Sequence, residues 1–201
     1  MARDAPTRLL AIRHGESEWN VLGRWQGRAD TSLSDRGRRQ ALEAAYLLGT
    51  FDGIFASDLH RAAETAAIIA AELGVGPVVV DPRLGETHVG PWEGLTHAEI
   101  EAGWPGFLTE HRRPSDAEPL DEVVVRASAS FADIAAATPG GEVLVVTHAG
   151  VLRTLCHSLG QLPHRFPNLA GLWFDVHVDG RIVPRARVEL IEPNAPVADA
   201  L

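Results

Sequence analysis

Four separated stretches carry residue types suited to moving a phosphoryl group. The first is Arg13-His14-Gly15-Glu16-Ser17-Glu18-Trp19-Asn20. A neutral imidazole held in one orientation can attack phosphorus. The oxygens around that phosphorus need donors that stay in place during the reaction, and Arg13 and the Asn20 amide are of the right type. Gly15 lets the backbone approach an anion closely. Taken alone, the stretch could equally be a surface loop with an incidental Arg-His pair.

The second stretch is Ser57-Asp58-Leu59-His60-Arg61-Ala62-Ala63-Glu64-Thr65-Ala66. It puts Arg61 near a helix N-terminus, itself favourable for anions. The ordinary alternative is an exposed arginine in a first turn. The third runs from Arg83 through Glu86 to Leu95, and a carboxyl group in such an irregular, aromatic-rich segment can act as a general acid. By itself Glu86 would be read as a solvated loop glutamate. The fourth is Val145-Val146-Thr147-His148-Ala149-Gly150. A histidine between a valine-rich run and a glycine is poorly explained by core packing, and its place at a strand end favours a site.

The elements that must position these residues follow from the pattern. Thr7 to Ile12 is an apolar run expected as a short buried strand of a sheet covered on both faces. Ser34 caps a helix from Asp35 whose apolar face is Ala41, Leu42, Ala45 and Leu48. Strands are expected at Gly53 to Ala56, Val78 to Val80 and Glu142 to Thr147. Helices are expected at Leu59 to Leu73, stopped by Gly74, at Asp121 to Ala137 and at Val151 to Leu159. Two late strands, Leu172 to Val178 and Val183 to Leu190, flank the turn Asp179-Gly180. Pro82 to Pro119 is irregular, with a capping-box pattern at Thr96-His97-Ala98-Glu99 opening a short helix.

This alternation predicts an α/β fold, a three-layer αβα sandwich with a mostly parallel central sheet. Residues 1–201 read as one domain, with 85–119 as an irregular cap segment. Ligands bind such sheets at the carboxyl ends of strands, where His14 and His148 both fall.

Composition narrows the partners. The net charge of −9 argues against nucleic acid. All 18 basic residues are arginine, whose planar fork grips phosphate oxygens two at a time. No apolar run of membrane-spanning length and no apolar signal core behind Met1 to Arg8 are present, so the expected location is cytoplasmic. The single cysteine, Cys156, lies in an apolar stretch and is expected in the core. His88 and His97 do not have the spacing of a helical ligand pair, so no metal site is expected. Trp92 and Trp104 either line a substrate pocket or anchor the irregular segment.

Taken in order, the four stretches resemble the histidine phosphatase superfamily, also called the phosphoglycerate mutase-like family. Gly23-Arg24-Trp25-Gln26-Gly27 and Leu33-Ser34-Asp35-Arg36-Gly37 extend the resemblance, which spans residues 7 to about 160. It implies that His14 is the nucleophile that becomes phosphorylated. It implies a phosphate pocket of Arg13, Arg61 and His148, helped by Asn20, Gln26, the Gly27 backbone and Ala149, with Glu86 as proton donor to the leaving oxygen. It implies no metal or organic cofactor, a small phosphate ester as substrate, and a homodimer, since relatives often dimerise.

The chain also departs from the pattern. The family's Gly-Gly-Glu-Ser segment is here Asp116-Ala117-Glu118-Pro119, and Gly85 stands where an arginine is frequent. The interval between Glu86 and His148 is short for a mutase, which favours an open site, access of water and therefore phosphatase activity. Arg112 and Arg113 sit where mutases grip a substrate carboxylate, or they are a solvated pair before Pro114. The run from Glu86 to His97 also resembles phosphatases acting on glucosylated 3-phosphoglycerate. Phosphoglycerate mutase-type transfer and a non-catalytic phosphate-binding protein stand as alternatives.

Overall fold

The computed structural model describes residues 5–162 and 165–191. Its centre is a six-stranded sheet made of β1 (Thr7–Arg13), β2 (Gly53–Ala56), β3 (Val79–Val80), β4 (Glu142–Thr147), β5 (Ala170–Val176) and β6 (Ile182–Glu189). The order across the sheet is β3-β2-β4-β1-β5-β6. The first four strands in that order run parallel, while β5 and β6 join antiparallel.

The continuous apolar runs of β1 and β4 follow from this arrangement, because both faces of the middle strands are covered. Leu9, Ala11, Val143 and Val145 face one core with residues of α5 (Leu120–Ala137) and α6 (Ala149–Ser158). Leu10, Ile12, Leu144 and Val146 face the other, with residues of α2 (Asp35–Leu47) and α3 (His60–Leu73). A short α1 (Glu18–Val21) follows β1, and α4 (His97–Gly103) lies in the segment 85–119. That segment has its own small core of Trp25, Val89, Trp92, Ile100 and Leu108. Trp92 is fully buried there, edge-on to Trp25 and Trp104, so it anchors the segment.

Several sequence expectations shift. The buried face of α2 is Gly37, Gln40, Ala41, Ala44 and Ala45, and Leu42 lies outside it, partly exposed. On a helix, Leu42 is turned about 100° from Ala41, whereas Ala44 and Ala45 continue its stripe. The helix ends at Leu47, with Leu48 as its cap. The edge strand β3 is only two residues long and exposed. α6 starts at Ala149, two residues before the expected Val151, which makes His148 its N-cap residue. Cys156 is buried, and burial pushes its thiol up to about 11. Among the described residues no helix is long and apolar enough to cross a membrane.

Candidate active site

The site sits where β1 and β4 end. Arg13 and Thr147 are register partners on these parallel strands, and the next residue of each chain segment is a histidine. The His14 N–H donates to the Thr147 carbonyl at 3.0 Å. The two imidazoles lie with centroids 5.2 Å apart and planes inclined at 60°.

His14 is almost fully buried. Its Nδ1 lies 2.6 Å from the Gly15 carbonyl, an acceptor only, so this nitrogen carries the proton. Nε2 is left with its lone pair and receives the Arg61 Nε–H at 3.2 Å. Asn168 Nδ2 donates to the His14 carbonyl and to Asn20 Oδ1. The Gly15 N–H donates to Thr65 Oγ1, one helical turn beyond Arg61 on α3. Gly15 itself packs against Gly37 at the start of α2, which leaves no room for a side chain.

Arg61 is fully buried near the start of α3. Its Nη1 and Nη2 donate to the carbonyls of Ala29 and Gly27 at 2.8 and 2.9 Å. Those bonds and the one to His14 use three of its five N–H donors, and two are left for an anion. Burial lowers its pKa to about 10, still far above neutrality. Arg13, 4% exposed, donates from Nη1 to the Phe166 carbonyl at 2.8 Å. His148 is fully buried, with Nε2 2.8 Å from Ser57 Oγ. Its Nδ1 meets no protein partner.

Both histidines are held well below the ordinary imidazole range, first by burial and then by the positive charge of Arg61. His14 feels Arg13 as well. For His148 the neighbours His14, Arg126 and Arg13 add to the effect. Both rings are therefore neutral near pH 7, so His14 keeps a nucleophilic lone pair beside two guanidinium groups.

Glu86 belongs to the segment 85–119, and its charge is felt by Arg61. Its Oε1 accepts the Thr87 N–H at 2.8 Å and its Oε2 the Gly150 N–H at 3.2 Å, near the N-terminus of α6. A side chain on Gly150 would run into the Glu86 carboxyl.

The remaining candidates divide. Asn20 Oδ1 accepts from Ser17 N–H and Asn168, so its amide NH2 is the end that can meet an oxyanion. Gln26 Oε1 is taken up by Ser17 Oγ and Thr31 Oγ1. The Gly27 carbonyl holds Arg61, and Ala149 is buried at the start of α6. Arg113 is half-buried; it donates to the carbonyls of Glu118 and His88 and lies close enough to feel the charge of Glu86. Arg112 instead pairs with Glu110 and stacks over Phe107. His88 is near the Asp116 carbonyl and Glu93. Among the described residues no group of three or more His, Cys, Asp or Glu side chains is placed to hold a metal ion.

Sequence reasoning did not assign Ser57, Thr65, Asn168 or Arg126. Ser57 had a signal, standing at the end of β2 as His14 and His148 stand at the ends of theirs. Thr65 had one too, four residues after Arg61 on the same helix face. Arg126 is three residues from Val123 on the buried stripe of α5, an unusual place for an arginine. Asn168 lies in an aperiodic stretch and carried no signal.

Comparison with known proteins adds a family. A model of the histidine phosphatase superfamily (branch 1) matches residues 9–173. A glucosyl-3-phosphoglycerate phosphatase of Mycobacterium tuberculosis is 39% identical over 181 residues, 82% of this chain and 81% of the relative. A metal-independent phosphoserine phosphatase of Arabidopsis thaliana is 35% identical over 159 residues, 74% of this chain and 67% of the relative. Among solved structures, mycobacterial glucosyl-3-phosphoglycerate phosphatase in complex with VO3 superposes with a TM-score of 0.80 at 34% identity, covering 89% of this chain and 97% of the other. The phosphoserine phosphatase of Entamoeba histolytica in complex with 3-phosphoglyceric acid gives 0.76 at 30% identity, covering 91% and 97%.

Proposed function

The chain belongs to the histidine phosphatase superfamily and is a phosphomonoester hydrolase, and we propose that His14 is its nucleophile, Glu86 its proton donor, and Arg13, Arg61 and His148 its phosphate pocket. The observation that carries this reading is the pairing of His14 Nε2 with Arg61 inside a buried, doubly cationic pocket.

In the first step the Arg61 Nε–H passes from His14 Nε2 to a phosphate oxygen, and the freed lone pair of Nε2 bonds to phosphorus while the bond from phosphorus to the ester oxygen breaks. Glu86 gives that oxygen its proton, so an alcohol leaves. In the second step water attacks the phosphohistidine, a water proton passes to Glu86, the N–P bond breaks and inorganic phosphate departs. Arg13 and Arg61 balance the phosphate charge throughout, and the free donors of Arg61 point the same fork at two oxygens. His148, neutral and steadied by Ser57, adds one more polar contact.

The substrate we assign is a small phosphate ester carrying a carboxylate, of the glucosyl-3-phosphoglycerate or phosphoserine kind. The names of the relatives support this, as does Arg113, a cation in the segment 85–119 near Glu86. In this reading that segment caps the pocket. Mutase-type transfer is not favoured by these relatives. A non-catalytic binder would have no need of both His14 and Glu86.

The test is phosphate release from glucosyl-3-phosphoglycerate, 3-phosphoglycerate, phosphoserine and an aryl phosphate, with acid-labile phosphate labelling of the protein. His14→Ala should lose turnover and label together. Retention of either by that variant would remove His14 as nucleophile. Aryl phosphate turnover with no release from any of the three carboxylate-bearing esters would remove the substrate assignment.

A further inference from the structure

From Arg83 to Glu86 each backbone carbonyl is held from outside the segment. The Arg83 and Gly85 carbonyls accept Arg126 Nη1 at 2.7 and 2.6 Å. The Leu84 carbonyl accepts Thr147 Oγ1 at 2.7 Å. The Glu86 carbonyl accepts both Arg126 Nη2 and Arg28 Nε at 3.2 Å. Four successive carbonyls therefore have fixed partners, and three of them share one guanidinium.

That guanidinium is itself clamped. Arg126 Nε and Nη2 donate to Glu118 Oε1 and Oε2 at 2.7 and 3.1 Å, a fork-to-fork pair. With the three carbonyls, all five of its N–H donors are engaged. Both side chains are largely shielded, 14% and 10% exposed. Glu118 is steadied in turn by Arg28 and by the His88 N–H. Burial works against its charge, but the bond from Arg126 and the His88 N–H hold its carboxyl below the ordinary range.

We infer that Arg126, clamped by Glu118, is a positioning residue for proton transfer: it sets the reach of Glu86 toward the leaving oxygen by fixing the backbone of residues 83–86. A proton donor displaced by 1 Å can lose about 10²-fold in rate, so a clamp of this kind bears directly on turnover. No lysine could replace it, since an ammonium cannot span three carbonyls and a carboxylate at once. The inference rests on the reading of Glu86 as the acid.

The experiment compares kcat/KM, which reports formation of the phosphohistidine, for 3-phosphoglycerate and for 2,4-dinitrophenyl phosphate. The first leaving group needs a proton and the second does not. Glu86→Gln tests the premise: it should lose roughly 10²-fold or more on 3-phosphoglycerate and little on the aryl ester. Arg126→Met should lose about 10²-fold on 3-phosphoglycerate and under about 3-fold on the aryl ester. Its loss should largely vanish in the Glu86→Gln background, because the two act through one proton. Glu118→Gln, which keeps the shape of the clamp, should show the same split more weakly, and it decides the matter if Arg126→Met does not fold. Equal losses on both esters, or full additivity with Glu86→Gln, would overturn the inference. A Glu86→Gln variant that shows no split would instead remove the premise.

Discussion

Arg13 and Thr147 stand opposite one another in the parallel register of β1 and β4, and each hands the chain on to a buried histidine. A slip of one residue in that pairing would turn every side chain to the other face of the sheet. The geometry of His14 and His148 is thus a property of the sheet, fixed by Leu9 to Ile12 packing against Val143 to Val146, and not of the loops that follow.

The first consequence is a pH dependence. His14 and His148 have folded pKa values well below the free value of 6.5. Below about pH 6.5 the unfolded chain takes up protons that the folded chain refuses. The stability these groups supply is complete above that pH and is lost as pH falls toward the depressed folded values. Each histidine contributes a slope of up to about 1.4 kcal/mol per pH unit in that window. Urea unfolding followed downward from about pH 7.5 should show the decline beginning near 6.5. The acid limb of kcat/KM on an aryl phosphate should lie lower still, because His14 stays neutral there. An activity limb at or above 6.5 would contradict the neutral, buried nucleophile.

Gly150→Ala separates stability from activity. The added methyl meets the Glu86 carboxyl, the mobile end of a side chain that can swing aside. Alanine in a helix is favoured over glycine by about 0.5–1 kcal/mol, so melting temperature should hold or rise. Displacement of Glu86 should lower kcat/KM on 3-phosphoglycerate by about 10²-fold. Wild-type turnover in this variant would mean that the Gly150–Glu86 contact does not position the carboxyl.

Gly37→Ala should do the reverse. Its methyl would strike the backbone carbonyl of Glu16, which also accepts the Ser34 N–H and cannot rotate away. Helix propensity favours the alanine by about 1 kcal/mol, but forcing α2 off the loop costs more, and a net loss of about 2 kcal/mol is expected. Denaturant unfolding reads this directly. A variant as stable as the wild type would show that α2 can shift without cost.

These glycines mark what the sequence could and could not convey. Strand and helix positions are legible at β2 and β4 as short apolar runs and at α3 as an apolar stripe stopped by Gly74. The pairing of His14 with His148 was legible only as placement at two strand ends; their adjacency needed the sheet order. On α2 hydrophobicity alone ranks Leu42 above the smaller Ala44, yet it is Ala44 that fits against the core. The carbonyl clamp on residues 83–86 was invisible, because backbone acceptors leave no mark in residue types. Its donor, Arg126, carried a faint signal as an arginine on an apolar stripe. Gln26 and Gly27 match a family segment; Gln26 Oε1 is held by Ser17 and Thr31 and the Gly27 carbonyl holds Arg61, so only the Gln26 amide NH2 and the Gly27 N–H are the ends that could meet an anion.

The paired arginines give the last prediction, because the structure treats them differently. Arg112 is exposed, bonded to Glu110 and stacked on Phe107. Arg113 is half-buried and faces the carbonyls of Glu118 and His88. Burial lowers its pKa, while Glu118 and Glu86 pull the other way. It therefore remains a cation within the field of the site. Arg113→Ala should raise KM for 3-phosphoglycerate about tenfold, the loss of one ion pair worth about 1.4 kcal/mol, and raise it much less for an aryl phosphate. Arg112→Ala should leave both within about twofold, as exposed pairs contribute little. If Arg113→Ala affects the two esters equally, its role is confined to holding residues 88 and 118 together, and the carboxylate of the substrate is met elsewhere.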